Sequence, residues 1–213
     1  MPTIVGRDCK IEVALTFDSA INPTAVTKAN PAVATLTSHA VDTGDVGYWT
    51  VSAGMVELDG QAVYCTDTDT NTFTLNGLVT TNYSTYSAGS LTLAASWGTI
   101  SEAAAWQVGG GAANPLDDTR LTDIKTRNVA GLLAAQDLSI DVRSPVTSGT
   151  ALAFVEAAAQ TGTSILVKIS KGGTVLRVAY GVPSLAGEQV SAGALGAGNF
   201  NMICPGWVLK PNV

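Results

Sequence analysis

The sequence predicts a mainly β protein with one principal helix, and three observations support that prediction. Apolar and polar residues alternate along several segments, as in KIEVALTF at residues 10–17. Turn residues such as Gly, Asn, Asp and Pro separate those segments. Only residues 148–162 combine helix-forming composition with helical spacing of apolar residues. We therefore expect a β-sandwich or barrel-like arrangement with one helix packed on a sheet.

The strands are predicted from period-two patterning, taken in chain order. In residues 10–17 every second side chain is apolar, and DLSIDVRS at residues 137–144 repeats that pattern. Residues 163–181 contain two β-rich runs around Lys171-Gly172-Gly173, which predicts a hairpin with a glycine turn. A late strand in NFNMICPGWVL is predicted to stop at Pro205-Gly206. The side chains predicted to face inward are Ile11, Val13, Leu15, Phe17, Leu138, Ile140 and Val142.

The helix is predicted at about residues 149–161, within SGTALAFVEAAAQTG. The segment is rich in alanine, and Leu152, Val155 and Ala159 follow the i, i+3, i+7 spacing of one helical face. Gly162 follows the last predicted turn, where a residue free to adopt positive φ commonly ends a helix.

Composition also predicts two domains. Residues 30–93 contain short strands such as GYWTVSA, QAVYCTD and NTFTLNG, and we interpret them as an inserted small β-subdomain. Residues 1–29 and 94–213 then form the larger β-domain. QVGGGAANP, between Trp97 and Asp118, is predicted to be a long flexible loop.

Charge and cysteine content exclude several classes of protein. Only 13% of residues are charged, the formal net charge is −6, and there is no block of Lys or Arg, so a nucleic-acid-binding face is not indicated. The first residues lack a secretory-signal pattern and no apolar run is long enough to span a membrane, which predicts a protein made in a cytoplasm. The three cysteines are far apart, which favours packed thiols, although a pairing between subunits stays open.

No catalytic, cofactor or metal residues are predicted. In TDTDTNTFTLNGLVTTNYSTYSAG, residues 66–89, Asp67, Asp69 and Asn71 match the first ligands of a calcium loop. The required glycine and glutamate are replaced by Thr72 and Leu78, so we predict turn and strand-end residues instead. The single histidine, His39, has no nucleophile motif beside it, and the glycine runs at residues 109–111 and 193–198 do not match a phosphate-binding loop.

A resemblance to a known family covers most of the chain. DTRLTDIKTRNVAGLLAAQDLSIDV, residues 118–142, resembles the segment of the major tail tube protein of long-tailed bacteriophages that passes through a turn, here Gly131-Leu132, into a strand. The helix, the glycine hairpin and the late strand follow in the family's order.

A second resemblance concerns residues 32–89, which are similar to a small β-repeat found on several phage virion proteins. Its recurring points are occupied by Gly44-Asp45, Asp59-Gly60-Gln61, Phe73-Thr74-Leu75 and residues 81–89. Tyr64-Cys65 departs from the pattern, because the repeat usually has an apolar β-branched residue there.

The resemblance implies a non-enzymatic virion protein with a tail tube fold, assembled in the host bacterial cytoplasm. Its partners would be copies of itself in stacked rings, normally of six subunits, together with tape-measure, tail terminator and distal tail proteins. DNA would pass through without specific binding, and neither a cofactor nor a membrane is implied. Under this interpretation Glu12 and Asp141 are the candidate lumen-facing acids. The candidate inter-ring loop contains Gly109, Gly110, Gly111 and Asn114.

Other functions fit parts of the same pattern. A tail terminator or a decoration subunit would share the small β-repeat, and an Ig-like module that binds host polysaccharide would explain the Thr-rich loops and the tryptophans. An enzyme is the least supported class, since one histidine and no recognisable constellation are present.

Overall fold

The computed structural model describes residues 9–118, 124–126, 128–143, 150–189 and 197–211. Within these residues the protein is mainly β with one α-helix, as the sequence predicts. The first half of the chain contributes strands β1 (Cys9–Phe17), β2 (Ala25–Val26), β3 (Ala32–Thr35), β4 (Val46–Ala53), β5 (Ala62–Asp69), β6 (Thr72–Leu75) and β7 (Ala88–Thr99). A short 3-10 turn at Val56–Leu58 lies between β4 and β5.

The second half of the chain supplies seven further strands and the helix in the described residues. They are β8 (Ala103–Gly110), β9 (Ala113–Asp117), β10 (Asn128–Leu133), β11 (Gln136–Arg143), α1 (Thr150–Thr161), β12 (Ile165–Lys171), β13 (Thr174–Gln189) and β14 (Ala197–Cys204). Twelve of the described strands form one antiparallel sheet in the order β2-β3-β6-β5-β4-β7-β1-β12-β13-β14-β11-β8, and β9 and β10 form a separate two-stranded ribbon.

Two long strands change partners along their length. Residues 88–93 of β7 pair with β4, whereas residues 94–99 pair with β1. Residues 174–181 of β13 pair with β12, and residues 182–189 pair with β14. The large sheet is therefore built from smaller sheets joined through these shared strands.

The sheet has a hydrophobic core on each of its two sides. Consecutive residues of β12 show the division, since Leu166 belongs to the first core and Val167 to the second. This follows from the alternation of side chains along a strand. The first core is built mostly from β2–β7, with Trp49 and Phe73 fully buried. The second contains the helix and residues of β1, β11, β12 and β14.

The predicted inward-facing residues of β1 and β11 are largely confirmed. Ile11, Val13, Leu138, Ile140 and Val142 are buried in the second core. Leu15 and Phe17 are only partly buried, because register shifts after Ala14 interrupt the pairing of β1 with β7.

The helix α1 (Thr150–Thr161) ends as predicted at Gly162, which has φ +67°. The amide of Thr163 donates to the carbonyl of Ala158 at 2.9 Å, which closes the last turn. Leu152 and Val155 are buried against the sheet. Residue 149, the predicted start, lies outside the described residues.

The predicted long loop between Trp97 and Asp118 is wrong. Residues 103–110 form β8, paired with β11, and residues 113–117 form β9. The half-buried Trp106 and Val108 pack against the second core, so tertiary contacts override the flexibility expected of the glycines. Gly110 has φ +72°, and a Cβ there would lie 2.2 Å from the carbonyl oxygen of Ala135, so the close approach requires glycine.

A second correction concerns Gly131-Leu132, which were expected to form a turn. They lie inside β10, at the register shift between Ala130 and Leu133. The ladder with β9 continues past the shift, because Leu133 pairs with Ala113. An irregularity in a strand therefore stands where the resemblance implied a turn.

The predicted hairpin and late strand are both present. β12 and β13 are joined at Gly172 and Gly173, which have φ +55° and +85°, as a tight hairpin turn requires. β14 ends at Cys204, directly before Pro205-Gly206. Among the described residues no helix is long and apolar enough to cross a membrane.

Candidate assembly surface

Four neighbouring strands, β13, β14, β11 and β8, carry side chains on one face that no described segment covers. On their other face Leu138, Ile140, Phe200 and Met202 are fully buried in the second core. We call the uncovered side the open face. Its described residues are Ala105, Gln107, Gly109, Asp137, Ser139, Asp141, Arg143, Val182, Ser184, Asn199, Asn201 and Ile203, all exposed or half-buried.

The open face is polar and carries few charges. One row across the strands runs Gln107, Ser139, Asn201 and Ser184, so it contains only amides and hydroxyls. The acids are Asp137 and Asp141, and the base is Arg143 at the end of β11. Such a face can form hydrogen bonds with water without a strong attraction for phosphate.

Among the described residues, the same four-stranded unit has two open edges. β8 is the last strand of the sheet and pairs with β11 on one side only, among the described residues. Residues 182–189 of β13 pair with β14, while the pairing with β12 stops at Gly181. Both edges present backbone groups that a further strand could use.

The open edges lack the charges that usually protect an edge strand. β8 reads AAAWQVGG and contains no charged residue. Residues 182–188 of β13 carry one acid, Glu188, and no base. Edge strands of monomeric proteins are commonly interrupted by lysine or covered by other elements. The composition of β8 therefore suits pairing with another chain, whereas the β13 edge carries Pro183 and Glu188.

Two exposed apolar side chains lie at one end of the open face. Ile203 on β14 is 61% exposed and lies directly opposite Val182 on β13, which is 38% exposed. Trp207, 42% exposed, lies beside Gly111 at the start of the β9–β10 ribbon. Leu116 on the ribbon is also mostly exposed. Ile203, Val182 and Trp207 therefore lie near the end of β8, where the ribbon begins.

The two predicted lumen-facing acids do not lie together. Asp141 is exposed on the open face, between β8 and β14. Glu12 lies on β1, and β12, β13 and β14 stand between β1 and β11 in the sheet. Its carboxylate forms an ion pair with Lys168 at 3.2 Å, and the Lys168 ammonium lies 4.1 Å from the centre of the Trp97 ring. The charge of Glu12 is therefore balanced within the chain.

The predicted inter-ring residues lie in and beside strands rather than in one long loop. Gly109 and Gly110 end β8, Gly111 precedes the ribbon, and Asn114 belongs to β9. A Cβ on Gly109 would lie 2.7 Å from the Asp137 carboxylate, a side chain that is able to move aside.

The Thr-rich segment at residues 66–77 forms a strand, a turn and a second strand, as the sequence predicts. Asp69 accepts hydrogen bonds from the amides of Asn71 and Thr72 and from the Thr72 hydroxyl. These hydrogen bonds lower the pKa of the Asp69 carboxyl. Phe73 and Leu75 are fully buried, and Gly77 has φ +79° in the turn that follows.

The remaining candidate groups are His39 and the three cysteines, and their contacts are hydrogen bonds and packing within the fold. His39 follows a turn, accepts a hydrogen bond from the amide of Val41 and packs edge-on against Phe73. Burial raises the pKa of the Cys65 thiol, and burial together with Asp137 raises the pKa of Cys204 to about 12. All three cysteines are free thiols.

A groove of about 620 Å³ lies beside the β12–β13 hairpin. Its lining includes Lys10, Glu12 and Lys168, and the last two neutralise each other. In the described part of the chain no group of three or more His, Cys, Asp and Glu side chains could hold a metal ion.

The open edges were not apparent in the sequence, because edge position depends on strand order rather than on local patterning.

Neither a scan against family models nor a search of curated proteins finds a match for this chain.

Proposed function

We propose that this protein is a structural virion protein that assembles with copies of itself into stacked rings, forming a phage tail tube through which DNA passes. The main support is the pair of open edges on one four-stranded unit. β8 of one copy can pair with residues 182–189 of β13 in the next copy, and repetition of that contact by rotation closes a ring.

Strand direction favours this arrangement. Each strand in the order β13-β14-β11-β8 is antiparallel to its neighbour, so β8 and β13 run in opposite directions. A copy placed beside the first by rotation about the ring axis therefore continues the antiparallel pattern across the contact. Closure of the ring satisfies the backbone groups on both edges of every copy.

The open face would then form the inner surface of the ring and face its bore. Its amides and hydroxyls, its two acids with the single base Arg143, and the formal net charge of −6 per chain are compatible with a bore that DNA crosses without binding. Asp141 lies on this face, whereas Glu12 is neutralised by Lys168. Under this proposal Asp141 is the better candidate for a lumen-facing acid, and no catalytic role or cofactor is invoked.

Negative-stain electron microscopy of the full chain at increasing concentration tests the proposal. We expect tubes made of stacked rings. Particles that never exceed one ring would favour a tail terminator, and monomers at every concentration would overturn self-assembly.

Edge variants test the ring contact itself. Ala104→Lys places a charge on β8, and Leu185→Lys places one on the open edge of β13; both residues are exposed. Each variant alone should remain a monomer, because each lacks one of the two edges. Their mixture should form one-to-one dimers and no rings, since one intact β8 meets one intact β13.

The matched control is Ala157→Lys on the exposed side of α1, which should assemble normally. If Leu185→Lys alone forms dimers, the contact joins β8 to β8, and the head-to-tail arrangement is wrong. Light scattering reports each of these masses.

A further inference from the structure

The last described residues cross from one hydrophobic core to the other. We call residues 205–211 the C-terminal strap. Val208 is buried in the second core, and the next residue, Leu209, is buried in the first. The amide and carbonyl of Leu209 exchange hydrogen bonds of 2.8 and 3.0 Å with Val178 on β13. The strap is therefore part of both cores.

One side chain holds the strap to the predicted small β-module. Gln61, directly before β5, has no exposed surface. Its Nε2 donates to the carbonyl of Trp207 at 2.9 Å, and its Oε1 accepts from the Trp207 amide at 2.8 Å. The carboxamide thus pairs with a backbone residue as a neighbouring strand would, and it also donates to the carbonyl of Ala62. A buried amide satisfied in this way is costly to remove.

Glycines of the module allow this close contact. A Cβ on Gly77 would lie 2.3 Å from the carbonyl oxygen of Lys210, and a Cβ on Gly60 would lie 2.7 Å from the Pro205 ring. On the other side, the amide of Val208 donates to Oε1 of Gln136 on β11 at 2.7 Å. The strap therefore contacts the module and the β13-β14-β11-β8 unit within a few residues.

Within the sheet, the module is joined to the rest of the protein through β7. Residues 88–93 pair with β4 of the module and residues 94–99 with β1, where the pairing includes register shifts. Away from this joint, the ring of Tyr48 on β4 stacks on the ring of Tyr180 on β13, with centroids 4.1 Å apart. The pairing through β7 on one side of the module and the strap on the other can together fix the angle between the module and the rest of the protein.

We propose that the C-terminal strap is a clamp that fixes the orientation of the module (residues 30–93) on the β13-β14-β11-β8 unit, with Gln61 as its positioning residue. This inference does not depend on the proposed function. Without the two hydrogen bonds between Gln61 and Trp207, the module would still share the first core with Leu166 and Val178, and its orientation on that core would be less narrowly defined.

The test compares Gln61→Met with Gln160→Met, the same substitution at an exposed position of α1. Spin labels at Thr70→Cys and Ala157→Cys, in a Cys9→Ser background, report the distance between module and helix. We expect one narrow distance distribution in the parent and in Gln160→Met, and a broader or shifted one in Gln61→Met.

Amide hydrogen exchange on the same proteins supplies the second measurement. Exchange at Trp207 and Leu209 should be faster in Gln61→Met by at least about tenfold, while Ile140 and Phe200 change by less than about twofold. Equal acceleration at all four amides would make Gln61 an ordinary stabilising residue and overturn the clamp. An unchanged distance distribution overturns it as well, whether or not the strap amides exchange faster.

Discussion

Glu12 and Lys168 lie directly opposite each other on β1 and β12, with Oε2 and Nζ 3.2 Å apart. Both side chains are less than one-fifth exposed, and the ammonium also lies over the ring of Trp97. This environment is intermediate between an exposed ion pair and a buried one. The pair is therefore expected to contribute to stability as well as to local charge balance.

A double-mutant cycle on this pair should give a measurable coupling. We expect Lys168→Met and Glu12→Gln each to lower the free energy of unfolding by about 1–2 kcal/mol, with the double variant less destabilised than the sum. Urea unfolding measures all four proteins. Lys10→Met, an exposed lysine on β1, should change the free energy by no more than about 0.5 kcal/mol. Strictly additive single effects would show that the ion pair contributes nothing.

The division of β11 into a buried and an open face predicts opposite outcomes for neighbouring residues. Ile140→Ala should lower the free energy of unfolding by about 2–5 kcal/mol, because it leaves a cavity in the second core. Ser139→Ala, on the open face, should change it by no more than about 0.5 kcal/mol. Chemical denaturation measures the free energy of unfolding of both variants. Comparable decreases for the two would mean that the assignment of these residues to a buried and an open face is wrong.

Because Gly77 lies close to the strap, we expect its substitution to destabilise the fold by more than the change in backbone conformation alone would. Gly77 and Gly162 both have positive φ, +79° and +67°, but a Cβ on Gly162 meets nothing within 4 Å. Gly162→Ala should therefore cost about 1 kcal/mol from conformation alone. Gly77→Ala should cost at least about 1 kcal/mol more, since its Cβ would collide with the Lys210 carbonyl. Thermal and urea unfolding compare the two, and equal costs would contradict the contact.

The lowered pKa of Asp69 predicts a pH dependence with a definite sign. A carboxyl whose pKa is lower in the folded state stabilises the fold above its ordinary value of 3.8. That contribution is lost as the pH falls through the lower, folded-state pKa. NMR titration should place the Asp69 pKa below 3.8 in the parent and move it upward in Thr72→Val, which lacks the hydroxyl donor. A titration unchanged by Thr72→Val would contradict this assignment.

Local patterns predict much of this fold because they act within one element. Ile11, Val13, Leu138 and Ile140 are buried as their spacing predicts, since the alternation of side chains is a property of the strand itself. Gly162 ends α1 for a similarly local reason. The prediction for the segment between Trp97 and Asp118 was wrong, because β8 is stabilised by β11 and the second core, and β9 pairs with β10, contacts that local composition does not contain.

The candidate surface depended on strand order, which no local pattern contains. That Asp141 lies on the polar side of its strand follows from the sequence, but the exposure of that side depends on what the rest of the chain leaves uncovered. The neutralisation of Glu12 likewise required the pairing of β1 with β12.

The sequence by itself therefore determined the mainly β class, the helix, the glycine hairpin and the absence of a recognisable catalytic motif. Only the tertiary structure decided which strands stand at the edges and how the strap joins the two cores. Gln61 and Trp207 are 146 positions apart, and their hydrogen bonds form only when the intervening chain has folded. Contacts of that kind arise from the packing of distant segments, so local side-chain periodicity does not reveal them.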